Sequence, residues 1–314
     1  MEFYINRFKD AEKVEYQCEV VTPMFLGGAN KNSAELRVPS IKGALRFWWR
    51  AVYGGGFNSI VEMAKKEAEI FGSTDPIYGQ KSNLIISIIE NNLAKKNSQK
   101  ISNSNFNILE YLAYGYRARE DIKNHIDSGK FTIHMKINNN NLEEIKKTFS
   151  FLINLGGLGA KSRNGFGNLY CKELCENFDF NSYKNDLKNI DLKDYSSLSK
   201  ESKLFIDKIE HNNWRDAISS IEEAYKQAKY HIKINNMSRE LIAKPFKRDF
   251  SRHAKPYFLH INKLPNGKYK GQILFMPYKY SPNNNFNQNT FNEYLTVCDE
   301  MNKKIEQLLN GGAK

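Results

Sequence analysis

Apolar and polar positions change period several times along this chain, and each change marks an element. Residues 16–22 alternate like a half-buried strand. Ile41, Ala44, Leu45, Trp48 and Val52 then recur at helical spacing. Ser40 stands where an N-cap belongs, so the spacing predicts a helix over 41–53 that Gly54, Gly55 and Gly56 stop. A shorter helix is expected over 60–70, a buried strand over 84–89 and an alternating strand over 131–137. A helix over 142–155 and a strand over 168–174 close the first half. The order β-α-β-β-α-β is the ferredoxin-like, RRM-type plan, with both helices on one face of an antiparallel sheet.

The second half repeats this pattern less completely. A long helix is expected over 214–231, two strands over 257–262 and 269–276 around a Pro265-Asn266-Gly267 turn, and a helix over 291–309 ending at Gly311-Gly312. The predicted class is α+β: two ferredoxin-like units, the second degraded, with helical insertions. Residues 1–175 form the first unit and 214–314 the second, with 176–213 as a polar connector. The Asn-, Ser- and Lys-rich stretch 91–107 reads as an insertion between two strands, and 281–290 as a loop.

Between the helix over 142–155 and the strand after it lies Gly156-Gly157-Leu158-Gly159-Ala160-Lys161-Ser162-Arg163-Asn164-Gly165-Phe166-Gly167, with five glycines and two cations in twelve residues. Such a loop suits a polyanion, which free N–H groups and Lys or Arg side chains both attract. It is not a nucleotide P-loop, because Ala160 stands where glycine must precede Lys-Ser and a helix precedes the loop instead of a strand. In the helix over 41–53, Lys42, Arg46, Trp49, Arg50 and Tyr53 fall opposite the apolar stripe. Lys42 in the first turn opposes the helix dipole unless an anion sits there too.

Charge agrees with an acidic partner. The net charge is +12, and between 231 and 280 eleven Lys and Arg face two acids, a concentration that uniform codon bias does not produce. Chemistry is harder to place. The six histidines are scattered; only His253, beside Arg252 and Lys255, has a basic setting suited to RNA cleavage. There is no carboxylate cluster, and Cys171 and Cys175 lack a second ligand pair, so neither metal nor cofactor is expected. With no secretory leader and no long apolar run, the chain reads as cytoplasmic, with free thiols and no membrane contact.

Five stretches together carry a resemblance: Thr22-Pro23-Met24-Phe25-Leu26-Gly27-Gly28-Ala29, Pro39-Ser40-Ile41-Lys42-Gly43-Ala44-Leu45-Arg46-Phe47-Trp48-Trp49-Arg50, Glu69-Ile70-Phe71-Gly72-Ser73, the glycine-rich loop, and the weaker Arg252-His253-Ala254-Lys255-Pro256-Tyr257. In this order they resemble the RAMP superfamily of CRISPR proteins, and more closely the first-subunit family of the type III-B Cmr effector complex. Lys255 and Tyr257 depart from the family pattern. The resemblance implies a non-catalytic RNA-binding subunit that holds the 3′ region of the CRISPR RNA and the guide–target duplex beside other RAMP subunits, cleavage belonging to a different subunit. The residues expected to meet RNA are Lys42, Arg46, Trp49, Arg50, Phe25, Gly157, Gly159, Lys161, Arg163, Phe166, Arg252, His253 and Lys255. Phe25, Trp49 and Phe166 are candidates to stack on bases, against ordinary packing. Two alternatives stay open: a metal-independent endoribonuclease for CRISPR transcripts, and a basic scaffold that contacts acidic proteins.

Overall fold

A computed structural model describes residues 10–28, 33–96, 124–235, 255–279 and 287–311, with 112, 117–118, 121–122, 237 and 240–243 between them. In the first half, strand β1 (Ala11–Val20) leads to helix α1 (Val38–Tyr53), helix α2 (Ile60–Phe71) and strand β2 (Leu84–Glu90). Strand β3 (Lys130–Asn138), helix α3 (Leu142–Leu155) and the two-residue strand β4 (Leu169–Tyr170) follow. The sheet has order β2-β3-β1-β4, and every neighbouring pair is antiparallel, Tyr16 lying opposite Ile133 and Glu19 opposite Tyr170.

The second half contains strand β5 (Lys203–Ile206), helix α4 (Trp214–Ile234), strands β6 (Tyr257–Lys263) and β7 (Tyr269–Phe275), and helix α5 (Gln288–Leu309). Its antiparallel sheet runs β6-β7-β5. Strand β5 lies inside the stretch expected to be a polar connector, so that expectation is corrected. Leu204 and Phe205 pair with Leu274 and Ile273, a signal too short to register as period two.

The two sheets are buried differently. The first is covered on one side by α1 and α3, while Ile85, Ile89 and Lys13 look out from the other. The second is covered on both. Tyr257, Leu259, Ile261, Ile273 and Phe275 pack with α4 and α5, whereas Phe258, Leu274 and Met276 join the core of the first half. Double burial is why Tyr257-Phe258-Leu259 and Ile273-Leu274-Phe275-Met276 read as continuous apolar runs.

Several boundaries differ from expectation. Helix α1 starts at Val38, with Pro39 in the first turn and Arg37 as a cap without a side-chain bond, so Ser40 lies inside the helix. Lys42 therefore lies beyond the first turn, and the dipole reason for an anion there lapses. Gly54–Gly56 form a 3-10 turn, and the strand expected over 168–174 gives way after Tyr170 to a helical turn, Lys172–Cys175. Ala94–Lys96, within the expected insertion, pair with His125–Ser128, and His125 is buried there. Residues 97–107 of that insertion and 281–286 of the Asn-rich loop lie outside the described residues.

Candidate nucleic-acid interface

The segment after β1, helix α1 and the glycine-rich loop meet around one cleft of about 490 Å³. Ser40, Ala44 and Phe47, spaced four and three apart, turn one face of α1 toward it. Gly157, Gly159, Ser162 and Arg163 form the facing wall, and Phe258 of β6 contributes from the second half.

The loop is held by its own backbone on alternate residues. Leu158 N–H donates to Gly167 O at 2.9 Å and Ala160 N–H to Phe25 O at 3.0 Å. Among the described residues the N–H groups of Gly157, Gly159 and Ser162 make no hydrogen bond, and all three residues line the cleft. Glycine is required by this weave at two points. Gly159 has φ 85°, and a Cβ there would stand 2.6 Å from Phe25 O. Gly167 has φ 70°, and a Cβ would run into the Leu158 carbonyl. Lys161 is left-handed too, at φ 65°, and its partly exposed amine has no hydrogen-bonding partner among the described residues.

Arg163 is held more tightly. Its guanidinium sits 5.3 Å from the Phe47 ring centre and 4.7 Å from that of Phe258, and burial pulls its pKa below the ordinary arginine value. Its carbonyl accepts from Leu259 N–H at 3.1 Å, and Asn164 forms a parallel bridge with Leu259, so the loop closes the outer edge of β6. Behind it the Lys255 amine donates to Asn164 Oδ1 at 3.1 Å and lies 4.4 Å from the Tyr225 ring centre. Burial, then Lys229 and Arg163, bring its pKa down to about 7. Lys255 thus braces the loop from behind and does not line the cleft.

The expected basic face of α1 is largely occupied within the protein. Arg50 donates to both Glu67 oxygens at 2.8 and 2.9 Å. Arg46 donates to the carbonyls of Phe71 and Gly72, capping the end of α2, and lies 3.7 Å from Glu67. Neither lines the cleft, and nor does Lys42. The stacking expectation is corrected for Trp49 and Phe166, which do not line the cleft; Phe25 does line it. Trp49 is fully buried, with Nε1 donating to Glu144 Oε1 at 2.6 Å; the Phe25 and Phe166 rings are buried 5.1 Å apart. An indole fits there because its one polar atom finds a carboxylate and its body fills the core. Arg252 and His253 lie outside the described residues.

A polar network that the spacing did not signal joins loop to second sheet. Asn168 is fully buried; its Nδ2 donates to Gly156 O at 2.8 Å, its Oδ1 accepts from Ile261 N–H at 3.1 Å, and its N–H donates to Thr22 Oγ1 at 2.9 Å. Asn168 Nδ2 also lies 2.8 Å from His260 Nδ1, and His260 Nε2 lies 2.9 Å from Asn262 Oδ1. Asn262 Nδ2 donates to Gln272 Oε1 at 3.2 Å, and Gln272 Nε2 to Asn154 O. A neutral imidazole that accepts at Nδ1 and donates from Nε2 satisfies the Asn168 and Asn262 contacts; Gly156 O, 2.7 Å from Nδ1, then takes its hydrogen from Asn168 Nδ2 and not from the ring. Burial pushes its pKa down to about 4. The only hint in sequence is His260 and Asn262 alternating with apolar residues in a strand.

The three motifs around the cleft fall within the span matched by a protein-family model, that of the RAMP superfamily, over residues 17–170. Residues 17–170 are a RAMP-superfamily segment. Among curated proteins of this kind, the chain is similar to CRISPR system Cmr subunit Cmr1-2 of Pyrococcus furiosus, 28% identical over a 183-residue alignment that covers 51% of this chain and 96% of that protein. It is also similar to Cmr1-1 of the same organism, 27% identical over 161 residues, 49% of this chain and 46% of that protein. The fold is that of the crystal structure of Cmr1 from Pyrococcus furiosus in its apo form, with TM-score 0.58 and 20% identity over 86% of this chain and 89% of that one. It is shared with a chain in a cryo-EM structure of the type III-B Cmr-β complex bound to cognate target RNA, with TM-score 0.59 and 12% identity over 94% and 100%. Among the described residues, no helix of this chain is long and apolar enough to cross a membrane.

Proposed function

We propose that this chain is the RNA-binding first subunit of a type III-B Cmr effector complex, holding the 3′ region of the CRISPR RNA and its duplex with target, and that it binds without cutting. The strand order and helix placement of each half suit ferredoxin-like units, the second lacking its last strand. The observation that carries the reading is the row of N–H groups on Gly157, Gly159 and Ser162, unpaired among the described residues and set in a concave wall beside Arg163 and Lys161. N–H groups that no carbonyl accepts, flanked by cations, bind phosphate oxygens without regard to sequence. The names of the sequence relatives and the RNA-bound assembly in which the fold recurs support the same reading.

The test is Lys161→Asn, because asparagine tolerates positive φ and removes only the charge. RNA affinity should fall severalfold, the log–log salt slope should shrink by about 0.7 for one lost contact to a single strand, and the melting temperature should hold. Labelled CRISPR RNA should stay intact in both EDTA and magnesium. Unchanged affinity and slope would remove the loop from the interface, and specific cleavage products would favour the endoribonuclease reading.

A further inference from the structure

The two larger sheets have four edges, and three are blunted. The outer edge of β6 is closed by the glycine-rich loop through the Asn164–Leu259 bridge. Strand β4 pairs with only Glu19 and Val20 of β1, and the rest of that edge carries the charges of Glu12, Lys13 and Glu15; strand β5 has four residues. The fourth edge, β2, runs for seven residues with the sequence Leu84-Ile85-Ile86-Ser87-Ile88-Ile89-Glu90. It contains no proline or lysine, and its one charge is at the end. Natural edge strands avoid this composition, because a long apolar edge pairs with any strand it meets.

The direction of its backbone groups follows from the ends of the ladder. Asn83 O accepts from Asn138 N–H, and Asn91 N–H donates to Lys130 O, so odd-numbered residues turn toward β3. The even-numbered residues turn outward. For the first of them, Ser82 Oγ accepts from Leu84 N–H at 3.1 Å and lies 2.8 Å from Leu84 O. Among the described residues nothing takes up the outward N–H and C=O groups of Ile86 and Ile88. On the open face beside them, Ile85 is 45% exposed and Ile89 54%.

We propose that β2 is a docking edge for an extended segment of another protein subunit, which adds a fifth strand to the first sheet. The inference rests on the reading above that the chain works inside a multi-subunit assembly. The chemistry excludes RNA here: donors and acceptors from one edge, repeating about every 6.8 Å, match another strand's backbone, whereas phosphates only accept. The segment that fits is free of proline at its bonding positions and places apolar side chains against Ile85 and Ile89. A different subunit fits better than a second copy. Seven residues are a fraction of the roughly 20–30 per side that a stable interface uses, so the pairing needs a body that brings further contacts.

The experiment compares hydrogen–deuterium exchange, resolved to single residues, in the tagged full-length chain alone and in the effector complex purified around it from its host. In the free chain the Ile86 and Ile88 amides should exchange fast and those of Ile85 and Ser87 slowly. In the complex the even positions should slow by at least tenfold. The variant Ile85→Lys/Ile89→Lys should melt and bind RNA like the parent yet retain about tenfold less of the other subunits. A complex that assembles with Ile86 and Ile88 exchanging as in the free chain, or with the variant retaining subunits equally, overturns the docking edge and leaves the proposed function standing. A free chain that is dimeric with the edge protected overturns it in favour of a second copy. A parent chain that recovers no other subunit while still binding RNA overturns both the edge and the assembly reading.

Discussion

His260 gives a pH dependence that can be isolated by a single substitution. Its imidazole is 1% exposed, bonded by Asn168 at Nδ1 and Asn262 at Nε2, and held neutral by burial. In the unfolded chain it titrates near the ordinary value of 6.5, and in the folded protein burial lowers this to about 4. Above pH 6.5 it is neutral in both states and stability does not depend on it. As pH falls from 6.5 toward 4, the unfolded state takes up the proton first and stability drops. Below 4 both states are charged and the loss is complete. A difference of about 2.5 pK units corresponds to roughly 3 kcal/mol, a large part of a typical folding free energy. Urea unfolding at half-unit steps from pH 4 to 8 should show this decline. His260→Gln, which retains one donor and one acceptor, should lose most of the decline relative to the parent, the carboxylates contributing equally to both curves. Parallel curves for parent and variant would refute the neutral, buried imidazole, and with it the assigned direction of the network.

Three further outcomes test the packing around the cleft. Leu45→Ala, at a fully buried position, should cost about 2–5 kcal/mol by chemical denaturation. Trp49→Phe keeps an aromatic ring but strands Glu144 without its indole donor, so it should cost about 1–3 kcal/mol and leave RNA affinity unchanged; weakened binding at intact stability would return Trp49 to the interface. Gly167→Ala places a Cβ against the Leu158 carbonyl at positive φ; it should destabilise the fold by more than about 1 kcal/mol and weaken RNA binding in step, whereas a variant as stable as the parent would show that the loop can relax.

The sequence by itself determined the periodic elements: α3 spans the residues its spacing predicts, and α2, β2 and β3 differ only at their ends. Local pattern suffices there because the buried positions of each element recur at that element's own period. It also marked the glycine-rich loop, whose composition suits neither helix nor core. What it could not decide was which polar side chains were already occupied. Arg46 and Arg50 carry the composition of an RNA-facing stripe, yet Glu67 and the end of α2, more than fifteen residues away in sequence, take them up. Trp49 sits on the polar side of its helix by spacing and in the core by contact, because α3 brings Glu144 to its nitrogen. The Asn168–His260 network and the cleft itself exist only once the two halves meet. Periodicity follows from the local geometry of one element, but hydrogen-bond satisfaction and charge pairing depend on distant segments brought within about 3 Å, and only the tertiary fold sets those distances.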